Sequence, residues 1–180
     1  MRRLYFIRHA ESEFNKAHKW TGSTDVALTP AGQTQAKKAG QAAKKQGLAF
    51  DVIISSPLTR TCHTARHVAT ELGYPHDAIE LRDSLIERKF GTLEGRKDLV
   101  ARTKYLLDES AIDTYEGVES LAALQKRADD TLQHLHSLPQ DTILIVGHGA
   151  FGRALRRAIN KEPLRHRGTS YANAEIVRLI

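Results

Sequence analysis

Short apolar runs alternate with longer stretches in which apolar residues recur every three or four positions. Leu4-Tyr5-Phe6-Ile7 is continuous rather than alternating, which predicts a strand buried on both faces. Thr29-Pro30 reads as an N-cap followed by a first-turn proline, opening a helix through Lys45 with Gly47 at its left-handed end. Asp51 to Ser55 forms a second strand, and Ser56-Pro57 opens a helix that runs to Leu72 and stops at Gly73. Ile79-Glu80-Leu81 suits a short strand. Val118 to Leu138 predicts a long helix with Leu121, Leu124, Ala128, Leu132 and Leu135 on one face. Thr142 to Val146 is the most apolar strand, followed by Gly147-His148-Gly149 and a helix to Ile159. Ala174 to Leu179 mixes apolar and charged positions, as a strand nearer the sheet edge would.

Strands and helices therefore alternate, which predicts a three-layer α/β/α fold with a largely parallel sheet covered on both faces. Such sheets bind ligands at the carboxyl ends of their strands. Three strands deliver polar groups to that end: the first ends in Arg8-His9, the second leads through Ser55-Ser56 to Arg60, and the most apolar one ends at His148. No internal repeat, low-complexity tract or linker interrupts the 180 residues, so a single domain over 1–180 is expected.

Composition narrows the partners. Hydrophobic residues make up 41% and charged residues 27%, ordinary values for a globular domain. No apolar run approaches the roughly 18 residues of a membrane helix, and Leu4 to Ile7 is too short for a signal-peptide core. A cytoplasmic protein with no membrane partner is expected. Cys62 is the single cysteine, which excludes an internal disulfide and reads as a small helix residue. The net charge of +6 fits either nucleic acid or a small anionic substrate. Aromatic residues are only 6% and do not alternate with basic ones, so no nucleic-acid partner is expected. The densest basic stretch, Arg153 to Arg167, reads as an exposed helix face plus a loop. His63 and His67 stand four apart without a third ligand, which reads as a helix face rather than a metal site.

Arg8, Arg60, His9 and His148 brought to one place would repel one another unless an anion sat among them. Phosphate suits guanidinium groups, which match its oxygens bidentately. Asn15 and helix-start amides add neutral donors. Of two imidazoles, one can attack phosphorus and the other can stabilise developing charge.

Arg8-His9-Ala10-Glu11-Ser12 with Asn15 resembles the signature of the histidine phosphatase superfamily, which includes the phosphoglycerate mutases. Trp20 to Ala36, Ser55 to Ala65, Leu85 to Gly95, Gly117 to Ser120 and Val146 to Leu155 resemble further family segments in family order. The resemblance implies a phosphoglycerate mutase-like fold with a short cap over 88–116. It also implies His9 as nucleophile, and Arg8, Arg60 and His148 as phosphoryl-binding groups assisted by Asn15. Glu87 would be the general acid and base, protonated when first used, which burial or an adjoining anion favours. Ser12, Thr21, Gly22 and Gly149 match positions on the substrate side. Neither metal nor cofactor is implied. Ala10 departs from the family's usual glycine, and Phe90 stands where the family has a tyrosine.

Family mutases carry a long insertion after the acid, with a lysine and an arginine pair for the substrate. Here only Gly95 to Tyr115 separates Glu94 from Glu116, with no adjacent arginines. A short cap predicts an open site and hydrolysis of a small phosphorylated metabolite. Mutase-type transfer, and a non-catalytic phosphoanion-binding module, are the alternative readings. Oligomeric state is not legible in the sequence.

Overall fold

A computed structural model describes residues 2–164, 168 and 170–180. Five strands form one sheet in the order β3-β2-β4-β1-β5. These are β1 (Arg3–Arg8), β2 (Val52–Ser55), β3 (Glu80–Leu81), β4 (Thr142–Gly147) and β5 (Ile176–Arg178). All neighbouring pairs are parallel except β1 with β5, which lies antiparallel at one edge. The expected α/β fold with a largely parallel sheet is the one observed.

Strand alternation sorts the core into two layers. Leu4, Phe6, Ile54, Ile143 and Ile145 pack with Leu124, Phe151 and Leu155 on one face. Tyr5, Ile7, Ile53, Leu144 and Val146 pack with Ala39, Ala65 and Val68 on the other. The second layer is supplied by α2 (Pro30–Lys45) and α3 (Thr59–Leu72). Thr29 caps α2 through its side chain, as its place before Pro30 predicts. Gly40 lets the two helices close, since a Cβ there would stand 2.8 Å from Glu71 Cβ and 3.0 Å from Val68 Cα. Gly73 takes φ +70° and ends α3.

The opposite layer holds α5 (Leu121–Ser137) and α6 (Gly149–Asn160). The short α1 (Glu13–Lys16) follows β1. Between β3 and α5 the chain forms α4 (Leu99–Leu107), flanked by 3-10 turns at Gly91–Leu93 and Glu109–Ile112. Among the described residues no helix is long and apolar enough to cross a membrane.

One expectation fails here. Arg153 and Arg157 do not belong to an exposed helix face: they are 6% and 1% exposed. Both are held by Glu109, which accepts from Arg153 Nε at 2.6 Å and Arg157 Nη1 at 2.8 Å. A carboxylate from a distant segment makes the burial of two cations tolerable. The end of that basic stretch, 165–167, lies outside the described residues.

Candidate active site

Register builds the centre of the site. Arg8 pairs with Gly147 across β1 and β4, so the next residues, His9 and His148, emerge side by side. Their ring centroids are 5.3 Å apart. Ser55 pairs with Val146, which sets Ser56 beside the same strand end. Ser56 Oγ lies 2.9 Å from His148 Nε2.

His9 is buried, and its Nδ1 sits 2.8 Å from the Ala10 carbonyl. A carbonyl only accepts, so Nδ1 carries the proton and Nε2 keeps its lone pair. Burial, then Arg60 and Arg8, hold the His9 imidazole well below its ordinary range. Burial, then Arg60, His9 and Arg8, do the same for His148. Both rings are therefore neutral near pH 7. His148 Nδ1 is buried without a partner.

Arg60 is fully buried; Nη1 and Nη2 donate to the carbonyls of Thr24 and Gly22 at 2.8 and 2.7 Å. Burial lowers its pKa to about 10, with Glu87, Asp25 and Glu94 opposing. Arg8 donates from Nη1 to the Tyr171 carbonyl at 3.1 Å, and burial again lowers its pKa. The Nε atoms of both arginines are buried and unpartnered. Unmatched buried donors are costly, and a bound anion would match them.

Glu87 is 9% exposed and is not the ion-pair partner of its neighbour Arg88. Arg88 instead ion-pairs with Asp113 and donates to the Glu109 and Glu119 carbonyls at 2.7 and 2.8 Å. Glu87 sits on the first turn of α6, accepting from the Ala150 and Phe151 amides at 3.0 Å each. Those amides are thus spent on the carboxylate.

A cavity of about 210 Å³ is lined by Arg8, His9, Asn15, Arg60, Glu87 and Gly149. Thr21 and Gly22 line it too. One residue expected on the substrate side has its side chain committed elsewhere. Ser12 is fully buried and spends its side chain capping α1 in a reciprocal pair with Asn15, so it does not face the cavity. His148 packs against His9 at the same strand end, buried, with its Nδ1 free of any protein partner. Ala10 has no positive φ, so the methyl introduces no strain where the family has glycine.

Sequence reasoning missed several contributors. Glu94 pins the loop that feeds Arg60: Oε1 accepts from the Ser23 and Phe90 amides at 2.9 Å, and Oε2 from the Thr24 amide at 2.7 Å. Gly22 is required there, because its φ is +52° and a Cβ would collide with Glu94. Trp20, Phe90 and Tyr105 form a touching aromatic wall, with centroids 4.8 to 5.6 Å apart. Lys19 and Arg153 add positive charge to the lining, beside Arg102 from the basic stretch between Glu94 and Glu116, whose cations the sequence left open as either substrate contacts or a solvated helix face. The one sequence signal for Arg153 was its i,i+4 spacing to Arg157 among apolar Phe151, Ala154 and Leu155. Burial is the chief cause that raises the Cys62 thiol above its ordinary pKa, which disfavours the thiolate. Among the described residues no three potential ligands cluster as a metal site.

Two buried imidazoles and two buried guanidiniums thus meet at the carboxyl end of a parallel sheet, an arrangement whose unmatched donors suit an anion. The family model of the histidine phosphatase superfamily (branch 1) matches residues 4–180, and the chain belongs to that superfamily. The 2,3-bisphosphoglycerate-dependent phosphoglycerate mutase of Brucella canis is 35% identical over 168 residues, covering 88% of this chain and 82% of that protein. Phosphoserine phosphatase of Entamoeba histolytica, solved in complex with 3-phosphoglyceric acid, is 29% identical. It superposes with a TM-score of 0.78 over 99% of this chain and 90% of its own. A mycobacterial glucosyl-3-phosphoglycerate phosphatase shares the fold with a TM-score of 0.85 at 24% identity, over 99% of this chain and 92% of its own.

Proposed function

We propose that this chain is a metal-independent phosphomonoester hydrolase that acts on a small phosphorylated metabolite through a phosphohistidine on His9. The observation that carries the reading is the His9 tautomer: Nδ1 is committed to the Ala10 carbonyl, and Nε2 keeps its lone pair in a cationic cavity. His9 Nε2 attacks phosphorus while the bond from phosphorus to the alcohol oxygen breaks. Arg8 and Arg60 offer their unpartnered Nε groups to the phosphoryl oxygens, and His148 offers its Nδ1. Glu87 gives its proton to the departing alkoxide. The same carboxylate then takes a proton from water, the water oxygen attacks phosphorus, and the P–N bond breaks to release inorganic phosphate.

Water must reach the intermediate for this outcome. The short segment between Glu94 and Glu116, without an adjacent arginine pair, supports hydrolysis over transfer. Complexes of the Entamoeba enzyme with phosphoserine and with 3-phosphoglyceric acid support a compact substrate. Mutase transfer is the second reading, favoured by the 35% identity to phosphoglycerate mutase. Phosphate release from a phosphomonoester panel, measured with chelator present, is set against interconversion of 3- and 2-phosphoglycerate. Steady release with little interconversion is expected. Fast, primer-dependent interconversion with little release would overturn hydrolysis, and phosphate binding without any turnover would leave a binding module.

A further inference from the structure

Glu87 borders two cavities. One is the 210 Å³ cavity already described, and the other, of about 590 Å³, is lined by Lys89, Gly117, Glu119 and Arg127 as well. Open space offers a side chain no opposing atoms, so packing alone does not fix the carboxyl. Polar bonds set its place.

Two grips hold the chain on either side of Glu87. Upstream, Arg127 of α5 donates from Nη1 to the Ser84 and Ile86 carbonyls at 2.9 and 2.7 Å. Downstream, the Glu119 amide donates to the Lys89 carbonyl at 3.0 Å, and the Glu119 carbonyl accepts from Arg88 Nε at 2.8 Å. The grips are joined to each other. Arg127 Nε and Nη2 donate to the two carboxylate oxygens of Glu119 at 3.0 and 2.8 Å, a fork that a lysine does not supply. The Arg127 guanidinium also lies 5.2 Å from the centroid of the Phe151 ring. Phe151 is the residue whose amide donates to Glu87 Oε1. One side chain thus touches both the segment that carries Glu87 and the helix turn that receives its carboxylate.

We propose that Arg127 is a positioning residue for proton transfer, and that its pairing with Glu119 holds the Glu87 carboxyl toward the leaving oxygen. The inference rests on the hydrolytic reading above and adds a residue that does not line the substrate cavity. Without the fork the Ser84 and Ile86 backbone loses its anchor. A displacement of about 1 Å at the carboxyl suffices to forfeit much of the roughly 10²–10⁴-fold that a well-placed acid contributes. The charge of Arg127 has a separate influence, standing after burial, Arg60, His9 and Arg8 among the causes that keep His148 neutral. That influence falls on every ester alike, whereas a misplaced acid hurts only leaving groups that need a proton.

Leaving-group dependence tests it. kcat/KM, which reports phosphoryl transfer to His9, is measured for p-nitrophenyl phosphate, whose phenolate departs unaided, and for benzyl phosphate, whose alkoxide does not. Arg127→Gln is expected to slow benzyl phosphate by about 30-fold or more and p-nitrophenyl phosphate by less than about threefold. Glu87→Gln should show the same selectivity, and the double variant should be no slower than Glu87→Gln alone. An equal fall for both esters, or single effects that multiply in the double variant, would overturn the proposal while leaving hydrolysis intact. Glu119→Gln keeps the side-chain shape while weakening the fork; it should show the same selectivity to a smaller degree, and decides the matter if Arg127→Gln does not fold.

A second readout needs no turnover. The Ala150 and Phe151 amides lie in the first turn of α6, where helix amides have no intrahelical partner, and Glu87 accepts from both. Their hydrogen exchange should quicken by about tenfold or more in Arg127→Gln, while that of Gly152, bonded to the His148 carbonyl, stays unchanged. Unchanged exchange at Ala150 and Phe151 would overturn the positioning role. If neither ester is turned over, the hydrolytic reading fails on its own, and amide exchange still decides the role of Arg127.

Discussion

The cationic cup at the strand ends and the segment over 88–116, here termed the cap, are built by opposite rules. The cup hangs on strands whose interiors are buried and hydrophobic, with charged groups confined to their first and last positions. The cap reverses the usual helix: Leu99, Val100 and Leu107 of α4 are 70%, 66% and 84% exposed, while nearby Glu109 and Arg88 are buried. Hydrophobic burial locates the cup, and the register of β1 against β4 sets its histidines together. The cap is located by buried ion pairs and hydrogen bonds between segments far apart in the chain. Chemistry can therefore be lost from the cup without loss of fold, whereas a single polar change in the cap threatens the fold.

The sharpest break between the two is His9→Ala. Loss of the attacking nitrogen is expected to cut turnover by about 10⁴-fold or more, with little change in melting temperature. Rapid-quench trapping of an acid-labile phosphoenzyme should show it in the wild type and not in the variant. Brisk turnover by the variant would refute the cup's chemistry.

Next is Glu109→Ala, which leaves Arg153 and Arg157 buried without their carboxylate. A loss of about 3–5 kcal/mol is expected, read by denaturant unfolding. A loss below about 1 kcal/mol would show that the cap is not held in this way.

The cup has its own, smaller stability signature. Its two histidines are held neutral in the folded chain, well below the ordinary value of 6.5, and are free to protonate when unfolded. The unfolded state then binds more protons, so stability rises with pH and is lost as pH falls below about 6.5. The slope should approach about 1.4 kcal/mol per pH unit for each ring. His148→Asn should remove about half of that slope between pH 6.5 and 5.

The smallest expected effect is Ala10→Gly. Ala10 is buried with no positive φ, so glycine relieves no strain and costs only about 0.5–1 kcal/mol through added freedom in the unfolded chain. A gain in stability on thermal melting would contradict the backbone described.

Legibility in the sequence divided along the same line. Continuous apolar runs marked β1, β2 and β4, and Thr29-Pro30 and Gly73 marked helix ends, because these signals are local. His9, Arg8 and Arg60 could be placed because strand ends in parallel sheets share one crevice. Arg153 was misread as surface, since its burial depends on Glu109, 44 residues away in the chain. Ser12 was read as facing substrate, although its hydroxyl is committed to the backbone of α1.

Glu109 also limits how this architecture can be rebuilt. A protein engineer who exchanged the segment between Glu94 and α5 for a longer lid would be removing the counter-ion of the helix that follows His148. Any transplanted lid must bring its own carboxylate to the same spot, or the recipient helix must surrender both arginines. Lid length and the composition of α6 are thereby a joint design variable rather than two separate ones.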